Sequence, residues 1–263
     1  MTETLTAAQA FDLYAEARAA DRLTQNAWHR TESDGRQLAC GLGVLGPNIN
    51  GPRDCPASVM PQWLAQMVPW FFDRMAFADA KEWGLRFYAE LKRLDGDVPF
   101  SVVHDWQANA VAPLGIEWRT LKGKPTDAAV KLQALHLRAM SGDVAPRTEW
   151  SEALQPALRE SYAYAYADAY ANADAYADAN ADAYADAYAY TYADAYADAY
   201  AYAYADAYAD AYADADADAY AYANADAYAY TYAYADAKQR RRQEAIKRIA
   251  DGMVDALSRV RAA

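Results

Sequence analysis

Three histidines and two cysteines are the whole supply of imidazole and thiol chemistry in this chain: His29, His104, His136, Cys40 and Cys55. His104 is followed directly by Asp105. Neighbouring residues on a helix point about 100° apart, so this pair cannot form a catalytic dyad by itself, and a capping or structural role is expected. His29 and His136 stand alone in the sequence. No Cys-x-x-Cys or His-x-x-x-His spacing brings two ligands together, so no metal site is assigned. Cys55 precedes Pro56. At a helix N-terminus its thiol would be acidified and nucleophilic, whereas burial as a small hydrophobe is the commoner fate of a free cysteine. Gly41, Gly43 and Gly46 match a dinucleotide-binding glycine fingerprint only in part, and no clear strand precedes them. Serine-nucleophile, P-loop and zinc-protease motifs are missing. No catalytic residue, metal or cofactor is assigned, and an enzyme in the first 160 residues stays the weaker alternative.

Binding chemistry concentrates elsewhere. From Tyr162 to Asp236 the chain alternates, with Tyr, Asp or Asn at even positions and Ala at odd ones, interrupted only by Thr191 and Thr231. Tyr184, Tyr188, Tyr192, Tyr196, Tyr200 and Tyr204 recur every four residues. On a helix they form an aromatic ridge, and they are the candidate binding residues of the segment. Asp206, Asp210, Asp214 and Asp218 share that spacing and repel one another.

Three conformations compete for this segment. A helix suits Ala best and tolerates Tyr and Asp at about 0.5–0.7 kcal/mol each. Strict alternation is also the strand signature, and a β-solenoid-like arrangement is the alternative, but the Gly and Pro turn signals and a regular coil length are lacking. Disorder fits the near absence of bulky aliphatic residues. The pattern itself reads as an expanded hexanucleotide repeat that has drifted at first codon bases. Helix is favoured because helical sequence adjoins the segment on both sides without a turn residue.

The flanking elements follow from periodicity. Thr6 and Gln9 have capping-box spacing, and Phe11, Leu13 and Tyr14 give an apolar side to a helix ending near Leu23. Ser33-Asp34-Gly35 is a turn. Leu38–Leu45 reads as a short helix or a strand. Val59/Met60, Trp63/Leu64, Met67/Val68 and Phe71/Phe72 form a wide apolar helical face, with Pro61 in its first turn and Pro69 expected to kink or break it. Further helices are predicted over 78–94, from Ser101, and from Thr126 through Met140. Another, started by Pro146 and Thr148, carries Trp150, Leu154 and Leu158 into the repeat. Trp63, Trp70 and Trp83 are predicted core residues. After the repeat, Ile246, Ile249, Met253, Leu257 and Val260 line one face of an amphipathic helix. Ile246, Ile249 and Met253 are candidate binding residues in a heptad-like self-association seam.

The expected class is therefore mainly α, in three parts: a compact helical head (1–160), the Ala/Tyr/Asp repeat (161–237) and a basic amphipathic helix (238–263). All seven Trp fall in the head, which is large enough to bury a core. The net charge of −12 resides in the repeat. Such an acidic segment repels nucleic acid and anionic membrane and favours a basic protein partner. The cluster Arg240, Arg241, Arg242, Lys247 and Arg248 follows the repeat directly and offers it charge pairing. With two cysteines, a polar N-terminus unlike a signal peptide, and no bilayer-length apolar run, a cytoplasmic protein is expected.

Asp54-Cys55-Pro56 through Pro69-Trp70-Phe71-Phe72-Asp73, then Trp83-Gly84-Leu85-Arg86-Phe87-Tyr88 and the terminal Ile246–Leu257 helix, resemble uncharacterised bacterial and bacteriophage proteins. Those proteins join a Trp-rich helical head to an Ala-rich low-complexity tail. The resemblance implies a phage or mobile-element origin and no known activity. The function expected is a non-catalytic structural or interaction protein, a homo-oligomer or the binder of a basic host protein. An acidic DNA mimic that inhibits a nucleic-acid enzyme is the alternative from another class.

Overall fold

The computed structural model describes residues 5–121, 123–156 and 227–262, with side chains of the last stretch described from residue 239. The chain is mainly helical, as its periodicity predicts, and the described residues include one two-stranded sheet. Tyr184, Tyr188, Tyr192, Tyr196, Tyr200 and Tyr204 lie outside the described residues, as does the expected boundary at 160. Two compact units result. The first comprises Met1–Val102 with Ala250–Ala263, the second Val103–Ile249. Residues 238–263, set apart on sequence, are thus divided between the units.

In the first unit, α1 (Ala7–Ala19) opens with the expected capping box: Gln9 N–H donates to Thr6 Oγ1 at 3.2 Å, and Thr6 N–H donates to Gln9 Oε1 at 2.8 Å. Its inward face is Ala7, Ala10, Tyr14 and Ala17, not the expected Phe11–Leu13–Tyr14 side. Leu13 remains 37% exposed. Small residues on this face let α1 approach α3 (Phe77–Arg93) closely, and only Tyr14 projects into that contact. A Cβ on Gly84 would lie 2.1 Å from the Tyr14 hydroxyl. That hydroxyl donates toward the carbonyls of Ala80 and Lys81 at 3.3 and 3.2 Å. The Tyr14 ring stacks on Tyr88, centroids 5.0 Å apart, and Tyr88 donates to Gly41 O at 2.8 Å. α1 also ends at Ala19, short of Leu23, because Asp21 adopts a left-handed φ of 51°.

A hairpin follows, β1 (His29–Thr31) with β2 (Gln37–Ala39), His29 opposite Ala39. Its turn contains Gly35 at φ +85°, where glycine avoids the Cβ penalty. Leu38–Leu45 is thus neither one helix nor one strand: β2 ends at Ala39, and a 3₁₀ turn occupies Gly43–Leu45. The glycines there serve packing. A Cβ on Gly43 would meet Trp28 O at 2.2 Å, and one on Gly41 would meet the Phe72 ring at 2.7 Å.

α2 (Gln62–Arg74) begins after Pro61 and runs through Pro69 without ending. The expected break does not occur. The buried face Trp63, Leu64, Met67, Val68, Phe71 and Phe72 outweighs the loss of one helical hydrogen bond, and Pro69 sits at the half-buried edge. Trp63, Trp70 and Trp83 are core residues as expected, at 9, 2 and 1% exposure.

The second unit takes up α4 (Ser101–Trp106) at Val103, and this helix passes through a π-turn (Gln107–Val111) into α5 (Ala112–Leu121). α6 (Asp127–Met140) follows, then α7 at 147–156. The last helix, α8 (Ala227–Arg259), contributes its residues up to Ile249 to this unit and the rest to the first. Ile246, Ile249 and Met253 are fully buried in the chain itself. The seam expected to join two copies is therefore occupied intramolecularly. In the second unit Trp106 Nε1 donates to Ile249 O at 2.8 Å; in the first, Trp83 Nε1 donates to Ala250 O at 2.9 Å. Arg93 donates to the Leu257 and Val260 carbonyls at 2.7 and 2.8 Å and so caps the end of α8.

Gly84→Ala should lower unfolding free energy by about 1–3 kcal/mol through overpacking against Tyr14, and Trp63→Ala by about 3–5 kcal/mol through cavity formation. Urea denaturation of each variant beside the parent measures both. A Gly84→Ala protein as stable as the parent would show that α1 and α3 are not in such close contact.

Candidate functional site

The strongest cluster of chemistry-bearing groups lies in the second unit, around the π-turn. A π-turn inserts one residue into the helical register, and such insertions recur at functional sites. Here side chains support it from two sides. Asn109 Nδ2 donates to Asp105 Oδ1 at 2.9 Å, and Gln133 Nε2, from α6, donates to Ala108 O at 2.8 Å. The Gln107 side chain is buried at 2% exposure.

One turn before this insertion, His104 meets His136 of α6, with the two Nδ1 atoms 3.0 Å apart. His136, solitary in the sequence, is thus paired across thirty-two positions. Its place was partly legible. Leu132, Leu135, His136 and Ala139 are all buried on the inward face of α6, and a histidine within such a stripe must find a polar partner. Trp150 of α7 packs on both rings, with centroids 5.9 Å from His104 and 4.8 Å from His136. Beside it, Arg138 pairs with Glu149 and with Asp143. His29 is placed elsewhere, in the first unit, its Nε2 3.0 Å from Ile49 O.

A neutral imidazole carries one N–H and one lone pair. For the two Nδ1 atoms to share a proton, one ring donates from Nδ1 and the other accepts there while holding its own proton on Nε2. Burial holds His104 below the usual imidazole range. Burial, and then the neighbouring His104, push His136 down to about 3. Two neutral rings result at neutral pH, well suited to hydrogen bonding and packing. His136 is too weakly basic to gather protons there.

The cysteines are similarly quiet. Cys55 does not stand at a helix N-terminus; it follows the 3₁₀ turn Pro52–Asp54 and is buried. Burial pushes its thiol up to about 12, opposite to the acidification that nucleophilicity requires. Cys40 is buried too, and its thiol is raised for the same reason. Among the described residues, no group of three or more His, Cys, Asp or Glu side chains is placed to hold a metal ion. No helix among them is long and apolar enough to cross a membrane. Of the basic cluster in α8, Arg248 pairs with Glu117 of α5 at 2.6 Å.

The histidine pair predicts a pH dependence. In the unfolded chain both imidazoles titrate near the ordinary value of about 6.5, while in the folded chain both are depressed. The unfolded state then binds more protons as pH falls below about 6.5. Their contribution to stability is present in full above that value and is lost progressively toward about pH 3. Replacing both residues (His104→Gln with His136→Gln) should flatten the slope of unfolding free energy against pH between about 3 and 6.5, measured by urea denaturation at a series of pH values. An unchanged slope would show that the pair is not buried in its neutral form.

No protein-family model, curated protein or solved structure matches this chain.

Proposed function

We propose that the chain is a non-catalytic interaction protein whose packed helical base presents the acidic Ala/Tyr/Asp segment for self-association or for capture of a basic protein. The observation that carries this reading is the seating of both flanks in the second unit. On the entering side α7 buries Ala153 and Leu154, lays Trp150 on the histidine pair and pairs Glu149 with Arg138. On the leaving side α8 buries Ala245, Ile246 and Ile249 and is held by Trp106 and Glu117. The described residues that flank 157–226 on both sides are thus seated in the second unit. Tyrosine supplies amphipathic contact area, and aspartate steers cationic partners toward it.

The test replaces residues 162–226 with a Gly/Ser segment of equal length. The variant should keep the parent's thermal melt. It should lose oligomerisation in light scattering, or lose salt-sensitive retention of a basic probe protein such as cytochrome c. A variant that associates and binds like the parent would overturn this role for the segment.

A further inference from the structure

His104 and His136 turn the same ring atom toward each other. Their Nδ1 atoms stand 3.0 Å apart, so two nitrogen ligand positions converge on one point between α4 and α6. His136 is buried on the inward stripe of α6, and His104 is half-buried. Two aliphatic side chains would fill this space with no polar group to satisfy. Imidazole nitrogen is the commonest metal ligand in proteins, and it binds metal only through an unprotonated nitrogen. Burial keeps both rings neutral at neutral pH, so a cation does not have to compete there with an imidazolium proton.

The number of ligands selects the ion. Structural zinc takes four protein ligands and catalytic zinc three. Among the described residues, no group of three or more His, Cys, Asp or Glu side chains is so placed. Two nitrogens in line satisfy a closed-shell monovalent cation, copper(I) or silver(I). Metal–imidazole bonds of about 2 Å set two such nitrogens about 4 Å apart, so the rings must part by about 1 Å from their present contact. His104, the more open of the two, is the ring placed to retreat. Trp150 packs on both imidazoles, centroids 5.9 and 4.8 Å away, and an indole is the aromatic surface that attracts cations best. Arg138, two residues beyond His136, is paired with both Asp143 and Glu149, which offsets its charge near the pair.

We propose that His104 and His136 form a two-coordinate site for a soft monovalent cation, copper(I) or silver(I), held between their Nδ1 atoms beside Trp150. Before binding, one Nδ1 carries the proton that the pair shares. On binding, that ring takes the tautomer protonated at Nε2, and both Nδ1 lone pairs go to the metal. No proton is released and the metal keeps its oxidation state, so the site gains one positive charge. The site goes beyond the function proposed above and stands or falls independently of the repeat.

Silver(I) is the probe, because it needs no reductant. The full chain, labelled with 15N-histidine, is titrated with silver nitrate in chloride-free buffer, and the imidazole nitrogens are read by long-range 1H–15N correlation. Thiols bind silver too, so the titration runs to three equivalents, one for each of Cys40 and Cys55 and one for the pair. A Cys40→Ala, Cys55→Ala chain is titrated beside the parent. The histidine signals report the site directly in both, so the test survives if that double variant does not fold. The Nδ1 signals of His104 and His136 should move together, both rings taking the Nε2–H tautomer, while His29 stays unmoved. His104→Gln should leave His136 unmoved by silver, and His136→Gln should leave His104 unmoved. Nitrogens that do not move by three equivalents, or one ring moving alone, would overturn the site. So would a single variant whose remaining histidine still shifts as in the parent, because the metal would then be held without the pair.

Discussion

Burial of the apolar face of α8 is the constraint on which the rest depends. A helix of this kind is marginal alone in water and takes its stability from what covers its apolar side. Here Ala245, Ile246, Ile249, Ala250, Met253 and Leu257 are all fully buried. Two tryptophans hold the same stretch of backbone, each within its own unit. Trp106 bonds the Ile249 carbonyl, and Trp83 bonds the Ala250 carbonyl. A buried indole needs an acceptor for its N–H, and a helical carbonyl retains a lone pair after its own helical bond. Each contact therefore satisfies the tryptophan and fixes the helix in register.

The two faces of α6 carry different chemistry. Inward, His136 meets His104 under Trp150, and low polarity keeps both rings neutral. Outward, the same helix shows Val130, Leu137 and Met140. The conventional amphipathic pattern is thus partly reversed, with a histidine inside and a row of aliphatic side chains outside. A buried histidine is tolerated when its hydrogen bond is made within the fold.

The two thiols and the paired histidines are displaced from useful values by the same cause. Burial raises the Cys40 and Cys55 thiols, raises the Tyr14 and Tyr88 phenols, and lowers His104 and His136. In each case low polarity penalises the charged form. These groups serve instead as packing and neutral hydrogen-bonding elements: Tyr14 against Gly84, Tyr88 on Gly41, Cys40 accepting from Gly43 N–H at 3.3 Å.

The sequence by itself determined the helical class, the capping box at Thr6, the apolar face of α2, and the burial of Trp63, Trp70 and Trp83. All of these are local: a cap is read three residues apart, and a helical face four apart. Tertiary structure decided what depends on distant partners. Pro69 stays within α2 because the face around it is buried. Phe11 and Leu13 give way to Ala7, Ala10 and Ala17 on the buried face of α1, whose Tyr14 fits against Gly84 of α3. His136 gains a partner thirty-two residues away, a distance at which periodicity carries no information. Amphipathicity marked the face of α8 that needed covering, and only the packed chain could supply the cover.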